Sequence, residues 1–440
     1  MTASYDGTAR SWENKIGGQI AELKGHQHIV QSATFSAGGT KVVTASTDGS
    51  AIIWNWRGSS QLLKLVGHTG PVTTASFSPN DKHVVSGSDD RTGRVWDSDT
   101  GNALAVLRGH DAGISVAKFS PDGGRILTAS YDGTARLWSG STFELTAVLK
   151  GHEDHVLDAS FSSDGRRIVT ASHDQTARVW DAETGAALLV LRGHEHRVAA
   201  AVFDPRGKRV MTASWDGTAR LWDAETGRSL AVLSRHAGFV DAVAFSADGE
   251  RAVTAGTDKS ARLWDAATGN LIATLQGHSG AVKKVIFSPD GKRLVTASDD
   301  GTARLWDVET SKTIAVLAGH DGAVTTAMFS GSGDALVTGS IDNTARVWRI
   351  FPHTQAIVDF AKETASRCLT PEERKQFFLA VEPPRWCITG LSREQVTDIA
   401  RWNGKPPYRT QEWTQWLAAT DAARAKGQSA PQVPLPGGDN

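Results

Sequence analysis

Residues 277–307 read "GHSGAVKKVIFSPDGKRLVTASDDGTARLWD" and form one unit of a repeat that fills most of the chain. The histidine and the tryptophan of this unit belong to two series with a constant period of 42 residues. The tryptophans are Trp12, Trp54, Trp96, Trp138, Trp180, Trp222, Trp264, Trp306 and Trp348. The histidines are His26, His68, His110, His152, His194, His236, His278 and His320. A period of this length is typical of an architecture in which each repeat is one supersecondary unit.

Each repeat carries the pattern of four short strands. Between histidine and tryptophan the sequence alternates with a period of two, as in "AVKKVIFS", "RLVTAS" and "TARLW". A fourth segment, such as "GNLIATLQ", lies between each tryptophan and the next histidine, and "SPDG" and "DG" supply turn residues. The repeat is therefore predicted to be a four-stranded antiparallel sheet.

The repeats predict an all-β propeller, because sheets arranged radially cover each other's faces and leave only short edges. Eight strands follow a histidine, whereas nine strands carry a tryptophan. The segment "GGQIAELK" at residues 17–24 can supply the strand that the last repeat lacks, which closes a ring of eight blades. The alternative is a ring of seven blades, with the first fifty-odd residues belonging to a neighbouring propeller.

The composition argues against several classes of partner. The chain has 440 residues, and 47 Lys and Arg side chains balance 48 Asp and Glu side chains. No run of like charges suggests nucleic-acid binding, and no apolar stretch is long enough to span a membrane. Only two cysteines occur, Cys368 and Cys387. We therefore expect a cytoplasmic protein with two free, buried cysteines, without metal or cofactor.

The order Gly-His, strand, turn, Asp-Gly-Thr and Trp-Asp resembles the WD-repeat family, and the resemblance covers residues 1–349. The Trp-Asp pair itself is present after five of the nine tryptophans. The resemblance implies a propeller whose upper face, around the central channel, binds partner peptides.

Histidine, serine and aspartate recur in each repeat at spacings that could suggest a hydrolase triad. A set that repeats every 42 residues argues instead for structure, because a catalytic pocket is asymmetric. We predict hydrogen-bonded tetrads that satisfy buried polar groups within each blade, as the family resemblance also implies. Two such sets are His110, Ser130, Asp132 and Trp138, and His278, Ser298, Asp300 and Trp306.

One repeat departs from this pattern. Arg235 replaces the glycine before His236, and Gly256 replaces the serine of the expected tetrad. With its hydroxyl missing, this blade is predicted to be the least stable of the ring.

The two ends of the chain differ from the repeat. Residues 1–25 are expected to be a partial repeat, residues 26–350 the propeller, residues 351–425 a helical cap docked on it, and residues 426–440 a disordered tail. Met1 stands where other repeats have an apolar strand residue, so we expect the chain to be the C-terminal part of a longer protein. The phrase "RCLTPEERKQFF" with "PPRWC" resembles the ending of bacterial WD-repeat proteins whose upstream parts carry STAND NTPase modules and TIR or caspase-like effectors.

The candidate site comes from positions that vary between otherwise similar repeats. The resemblance to the WD-repeat family implies that the residue before the turn aspartate and the third residue after each histidine open onto the upper face. The predicted partner-binding residues are Tyr131, His155, His173, Arg197, Trp215, Phe239 and Asp241. Tyrosine, tryptophan and arginine are enriched at binding hot spots.

Two classes of function follow from this sequence. The favoured one is a protein-interaction scaffold or ligand-sensing propeller, part of a larger bacterial signalling or defence protein. The alternative is an enzyme that uses the central channel, for which His155, His173 and Asp241 are the only candidate cluster.

Overall fold

The computed structural model of the chain describes residues 2–3, 9–10, 17–58, 60–350 and 411–425. Within these ranges it contains eight four-stranded antiparallel sheets. In seven of them the strands follow the sequence from the inner to the outer strand, and in the eighth the outer strand is Gly17–Lys24. The first strands of adjacent sheets contact each other around a central channel, so the sheets are the blades of a propeller. The prediction of eight blades is confirmed, and the seven-bladed alternative is wrong.

The strands of the first four blades follow the 42-residue period. Blade 1 contains Val30–Phe35, Val42–Ser46, Ser50–Asn55 and Ser60–Val66. Blade 2 contains Val72–Phe77, His83–Ser88, Gly93–Asp97 and Ala103–Leu107. Blade 3 contains Ile114–Phe119, Arg125–Ser130, Thr134–Ser139 and Leu145–Lys150. Blade 4 contains Val156–Phe161, Arg167–Ser172, Ala177–Asp181 and Ala187–Leu191.

The same order continues through the second half of the ring. Blade 5 contains Val198–Phe203, Arg209–Ser214, Ala219–Asp223 and Ser229–Leu233. Blade 6 contains Val240–Phe245, Arg251–Gly256, Ala261–Asp265 and Leu271–Leu275. Blade 7 contains Val282–Phe287, Arg293–Ser298, Thr302–Asp307 and Thr313–Ala318. Blade 8 contains Val324–Phe329, Ala335–Ser340 and Thr344–Ile350, and its outer strand is Gly17–Lys24.

The outer strand of blade 8 closes the ring. Gly17–Lys24 pairs antiparallel with Thr344–Ile350, from Gly17 opposite Ile350 to Lys24 opposite Thr344. Arg346 donates hydrogen bonds to both Gln19 and Glu22 on this strand, each across 2.7 Å. The two ends of the propeller are therefore held in one sheet by backbone pairing and by an ion pair.

Apolar side chains fill the space between neighbouring blades. Between blades 3 and 4, for example, Leu127 and Leu137 are fully buried in one cluster with Val156, Ile168 and Trp180. The buried residues come from the faces of two adjacent sheets, and each large aliphatic side chain contributes about 1.5–3 kcal/mol by leaving water. No blade has a complete core of its own, so the ring is the folding unit.

The lower ends of the blades are also joined by arginines. Arg209 on blade 5 donates to the carbonyls of Gly249 and Ala266 on blade 6, both across 2.5 Å. Its Nε also donates to Asp204, a buried carboxylate on its own blade, across 3.1 Å. Arg167 makes the equivalent contacts from blade 4 to the carbonyls of Gly207 and Ala224.

A second compact unit consists of residues 1–14 and 351–440. Within it, Thr2–Ala3 pairs antiparallel with Ala9–Arg10, and Gln411–Ala425 is an α-helix in which Trp416 and Thr420 are buried. Cys368, Cys387 and the predicted disordered tail lie outside the described residues. In the described ranges, no helix is long and apolar enough to cross a membrane.

Candidate functional site

The two variable positions of each repeat lie side by side at one end of the blades, which we call the upper face. In every blade, the amide of the residue before the turn aspartate donates to the carbonyl of the third residue after the histidine. In blade 4 this bond joins His173 to His155 across 2.9 Å, and in blade 5 it joins Trp215 to Arg197 across 3.1 Å. This bond brings the varying side chains of each blade together.

The predicted binding residues of blades 3 and 4 form a group of rings. The rings of Tyr131 and His155 are 5.5 Å apart, and those of His155 and His173 are 6.2 Å apart. Asp154 lies between the histidines, with its Oδ2 at 2.9 Å from His173 Nδ1 and its Oδ1 at 3.5 Å from His155 Nδ1. Tyr131, His155, His173 and Asp154 are called the histidine group below.

A second group surrounds Trp215. The Arg197 guanidinium carbon lies 3.1 Å from the centroid of a Trp215 ring, which is a cation–π contact. Phe239 stacks on Trp215 with centroids 4.4 Å apart and planes inclined by 5°. His196 lies beside both rings, at 5.9 Å from Trp215 and 6.2 Å from Phe239. Arg197, Trp215, Phe239 and His196 are called the tryptophan group below.

Asp241 anchors the tryptophan group to the inner strands. It accepts a hydrogen bond from Trp215 Nε1 across 2.8 Å, and its second oxygen accepts one from Lys283 across 3.2 Å. Lys283 also lies 3.8 Å from Asp299. Partial burial lowers the pKa of Arg197, an effect that Asp241 opposes. Arginine keeps its charge at neutral pH even so, because its ordinary pKa lies above 12.

The two groups border one cleft of about 470 Å³ on the upper face. His173 and Asp154 line it from one side, and Arg197 and His196 from the other. Asp154 and His196 were not among the residues predicted from the sequence. Both are the second residue after a repeat histidine, a position that is glycine or alanine in five other blades, so its variation could have marked them.

The structure corrects the composition of the tetrads. In blade 3, His110 Nδ1 lies 2.7 Å from Asp132, and His110 Nε2 lies 2.9 Å from the hydroxyl of Thr128, not of Ser130. Trp138 donates to the same threonine hydroxyl across 3.0 Å. Ser130 instead donates to the Ala112 carbonyl and accepts a bond from the Asp132 amide, so it stabilises the turn.

The same correction applies to blade 7. His278 and Trp306 meet at Thr296, whereas Ser298 accepts a bond from the Asp300 amide. The reason is position along the strand. Threonine lies two residues before serine on the same face of the strand, where its hydroxyl accepts the tryptophan indole N–H, whereas serine stands at the turn. The hydroxyls that serve the eight tetrads are Thr44, Ser86, Thr128, Thr170, Thr212, Thr254, Thr296 and Thr338.

The predicted reason for a weak blade 6 is therefore wrong. Thr254 lies 2.7 Å from His236 and accepts a bond from Trp264 across 3.0 Å, so the tetrad hydroxyl is present although residue 256 is glycine. A side chain at Gly256 would collide with the Phe239 carbonyl. Glycine at position 256 therefore removes a serine hydroxyl from the turn, whereas the tetrad keeps its own hydroxyl on Thr254.

Burial and hydrogen bonding shift the pKa values of both titratable groups in the tetrad of blade 1. Burial lowers the pKa of His26 below 6.5, although Asp48 opposes the shift. Burial alone would raise the pKa of Asp48, but hydrogen bonds from Ser50, the Gln27 amide and His26 lower it to about 2. The tetrad is thus a neutral imidazole held by an ionised carboxylate, which is a structural arrangement.

The suspected serine triads do not form in the described ranges. None of their serines is hydrogen-bonded to the repeat histidine, because the hydroxyl 18 residues after the histidine, which is threonine in seven blades and Ser86 in blade 2, takes that place. Asp241 binds Trp215 and Lys283, and in the described ranges it makes no hydrogen bond to His155 or His173. The same ranges contain no group of three His, Cys, Asp or Glu side chains placed to hold a metal ion.

Comparisons with known proteins agree with this geometry. The family model described as "WD domain, G-beta repeat" matches residues 17–55, 59–97, 101–139, 143–181, 185–223, 227–265, 269–307 and 311–349. The crystal structure of a computationally designed protein, Ika8, is similar at a TM-score of 0.69 and 30% sequence identity, over 76% of this chain and 99% of the designed one. A search of curated proteins found no match. In all, 1933 chains of solved structures match, so the fold alone does not identify a ligand.

Proposed function

The chain belongs to the WD-repeat family, and from that premise we propose that it is a non-catalytic interaction module whose upper face binds a peptide segment of a partner protein. Propellers of this family commonly serve as protein-interaction scaffolds. The tryptophan group is the observation that carries the proposal. A stack of arginine, tryptophan and phenylalanine, of which the arginine lines the cleft, has the composition of a binding hot spot.

Preorganisation strengthens this proposal. Trp215 is fixed by its bond to Asp241 and by the Phe239 stack, so binding would cost little side-chain entropy. Phe239 is 40% exposed, which leaves apolar surface for a partner to cover. The guanidinium of Arg197 makes no hydrogen bond to any described residue. Its Nε is buried, so a carboxylate or a carbonyl would bind its terminal amino groups.

The experiment is affinity capture from the native cell with the tagged chain, followed by mass spectrometry. The double variant Arg197→Ala and Trp215→Ala should lose the specific partners recovered by the wild type. Ile341→Ala is the matched control, because Ile341 is 44% exposed and occupies the equivalent position of Trp215 in blade 8. If the double variant recovers the same partners in the same amounts, the upper-face proposal fails.

We also propose a cytoplasmic, bacterial setting in which the propeller regulates an upstream NTPase or effector module of TIR or caspase-like type. The support is the resemblance of the segment "RCLTPEERKQFF" with "PPRWC", together with the presence of only two cysteines in the chain. The DNA upstream of the first codon tests this proposal. In-frame translation should give further repeats of the "FSPDG" type and then an NTPase module, and an unrelated reading frame would contradict it.

A further inference from the structure

The lower mouth of the central channel differs from the upper face in chemistry. Every inner strand ends in phenylalanine at this mouth: Phe35, Phe77, Phe119, Phe161, Phe203, Phe245, Phe287 and Phe329. The residues just before them vary around the ring: Thr34, Ser76, Lys118, Ser160, Val202, Ala244, Ile286 and Met328. Blades 1 to 4 therefore contribute polar side chains to this layer, and blades 5 to 8 contribute apolar ones.

Lys118 interrupts a chain of inter-blade hydrogen bonds. The Ser76 hydroxyl donates to the Ala117 carbonyl across 3.2 Å, and the Ser160 hydroxyl donates to the Ala201 carbonyl across 3.1 Å. Lys118 stands between these serines in the ring, and its ammonium group has neither a hydrogen bond nor an ion pair with any residue that the structure describes. Lys118 is half-buried, and an ammonium group that is partly shielded from water and has no partner is stabilised by a nearby anion.

The charges around Lys118 do not neutralise it. Asp158 on blade 4 is the acid that acts on it, but the Asp158 oxygens already accept bonds from the Ala159 and Ala201 amides, across 2.9 and 3.2 Å. Lys284 lies on blade 7, four places around the ring, and repels it across the channel. Burial is the main reason that the pKa of Lys118 is lowered, with Asp158 opposing and Lys284 adding to the shift.

Among the described residues, Lys118 is the one charged side chain that lines a cavity of about 380 Å³ at the lower mouth. The rest of the described lining is aromatic, small or hydroxylic, and includes Phe35, Phe77, Phe119, Phe161 and Ser160. A pocket with apolar walls and one cationic group suits a ligand with an apolar body and one negative charge. A larger polyanion would leave charge against the phenylalanine rings.

We propose that the lower mouth of the channel binds a small monocarboxylate with an aryl or alkyl body, whose carboxylate pairs with Lys118. The carboxylate supplies the partner that Lys118 lacks and makes charge-assisted hydrogen bonds with the ammonium. The body of the ligand lies on the phenylalanine rings and leaves water. This site lies at the other end of the channel from the proposed peptide site and does not depend on it.

The test uses the full chain and 3-phenylpropionate as the probe, measured by isothermal titration calorimetry and ligand-observed NMR. The uncharged analogue 3-phenylpropionamide has the same body, so the comparison isolates the charge. Lys118→Met removes the ammonium but keeps an unbranched side chain. Lys284→Met is the matched control, because it removes the same charge from the opposite side of the channel. Circular dichroism establishes that both variants are folded.

The acid should bind the wild type at least tenfold more tightly than the amide, which corresponds to about 1.4 kcal/mol. Lys118→Met should abolish this preference, and Lys284→Met should keep it to within about threefold. Equal binding of acid and amide to the wild type would overturn the proposal without reference to any variant. A preference that persists in Lys118→Met, or displacement of the probe by an equal concentration of inorganic phosphate, would also overturn it.

Discussion

Arg262 donates a hydrogen bond to Asp258 across 2.6 Å in blade 6, and the two side chains are only 13% and 9% exposed. In blade 7 the equivalent Arg304 lies elsewhere, with its Nη1 where a Cβ on Gly277 would stand. The Cβ of Arg235 takes up that space in blade 6. In blade 6, arginine therefore stands at a loop position where other blades have glycine, and Arg262 lies against the tetrad aspartate instead of beside that loop.

Arg262 should consequently matter more to stability than its equivalents. Arg262→Met removes charge-assisted bonds to a nearly buried carboxylate, and we expect it to cost about 1.5–3 kcal/mol. Arg304→Met should cost less, because in the described ranges the Arg304 side chain makes no hydrogen bond. Urea unfolding of both variants gives the comparison. In an Arg235→Gly background the cost of Arg262→Met should fall, and an unchanged cost would show that Arg235 does not set the position of Arg262.

The tetrad hydroxyl can be identified by a matched pair in blade 3. Thr128→Val keeps the shape of the side chain but leaves the Trp138 indole and His110 Nε2 without a partner, at about 1–3 kcal/mol for a buried polar group. Ser130→Ala removes bonds at the turn and should cost about 0.5–1.5 kcal/mol. Thermal unfolding ranks the two variants. A larger effect of Ser130→Ala would return the tetrad role to serine.

Each arginine at the lower end of a blade should stabilise the propeller in proportion to the number of hydrogen bonds that its guanidinium makes. Arg209 reaches two carbonyls of blade 6 and the buried Asp204, whereas the Arg251 guanidinium reaches one carbonyl, that of Val308, across 3.3 Å. We expect Arg209→Met to lower the free energy of unfolding by about 1.5–3 kcal/mol, because it also leaves the Asp204 carboxylate buried without its cation. Arg251→Met should have a smaller effect in the same urea titration, and equal effects would contradict the assigned role.

Acid should destabilise the propeller in two stages. Burial lowers the pKa of His26, His68, His236, His278 and His320 below 6.5. The unfolded chain then binds more protons than the folded one, so stability is full above about pH 6.5 and falls as these histidines must protonate.

The tetrad aspartates reduce the stability of the fold at lower pH, where they become protonated. Hydrogen bonds overcome the effect of burial and lower the pKa of Asp48, Asp90 and Asp300 from 3.8 to about 2, so their contribution is present above 3.8 and is lost towards pH 2. The urea midpoint should therefore decline from pH 7 to 5 and decline further below pH 4. A midpoint that is constant from pH 7 to 5 would contradict the neutral, buried histidines.

The sequence predicted the fold because one period specified the strands and turns of every repeat, although the unequal numbers of histidine and tryptophan strands left both eight and seven blades open. The tetrad hydroxyl was assigned to the wrong residue because Thr128 and Ser130 share a face of one strand. In nearly every repeat, both positions also follow the histidine by the same number of residues. The distinguishing signal was present, since a hydroxyl follows every histidine by 18 residues, whereas Gly256 breaks the series at 20. The pairing of Trp215 with Asp241, and the place of Arg262, depend on contacts between loops that no period encodes.

The closing strand delays completion of the fold during synthesis at the ribosome. Lys24 pairs with Thr344, which emerges 320 residues later (344 minus 24), whereas the strands of other blades pair with neighbours made just before them. At about 5–20 residues per second, the strand containing the fully buried Leu23 waits roughly 16 to 64 seconds for its partner. During that interval the apolar face of this strand has no partner strand, so the ring closes only after blade 8 has been made.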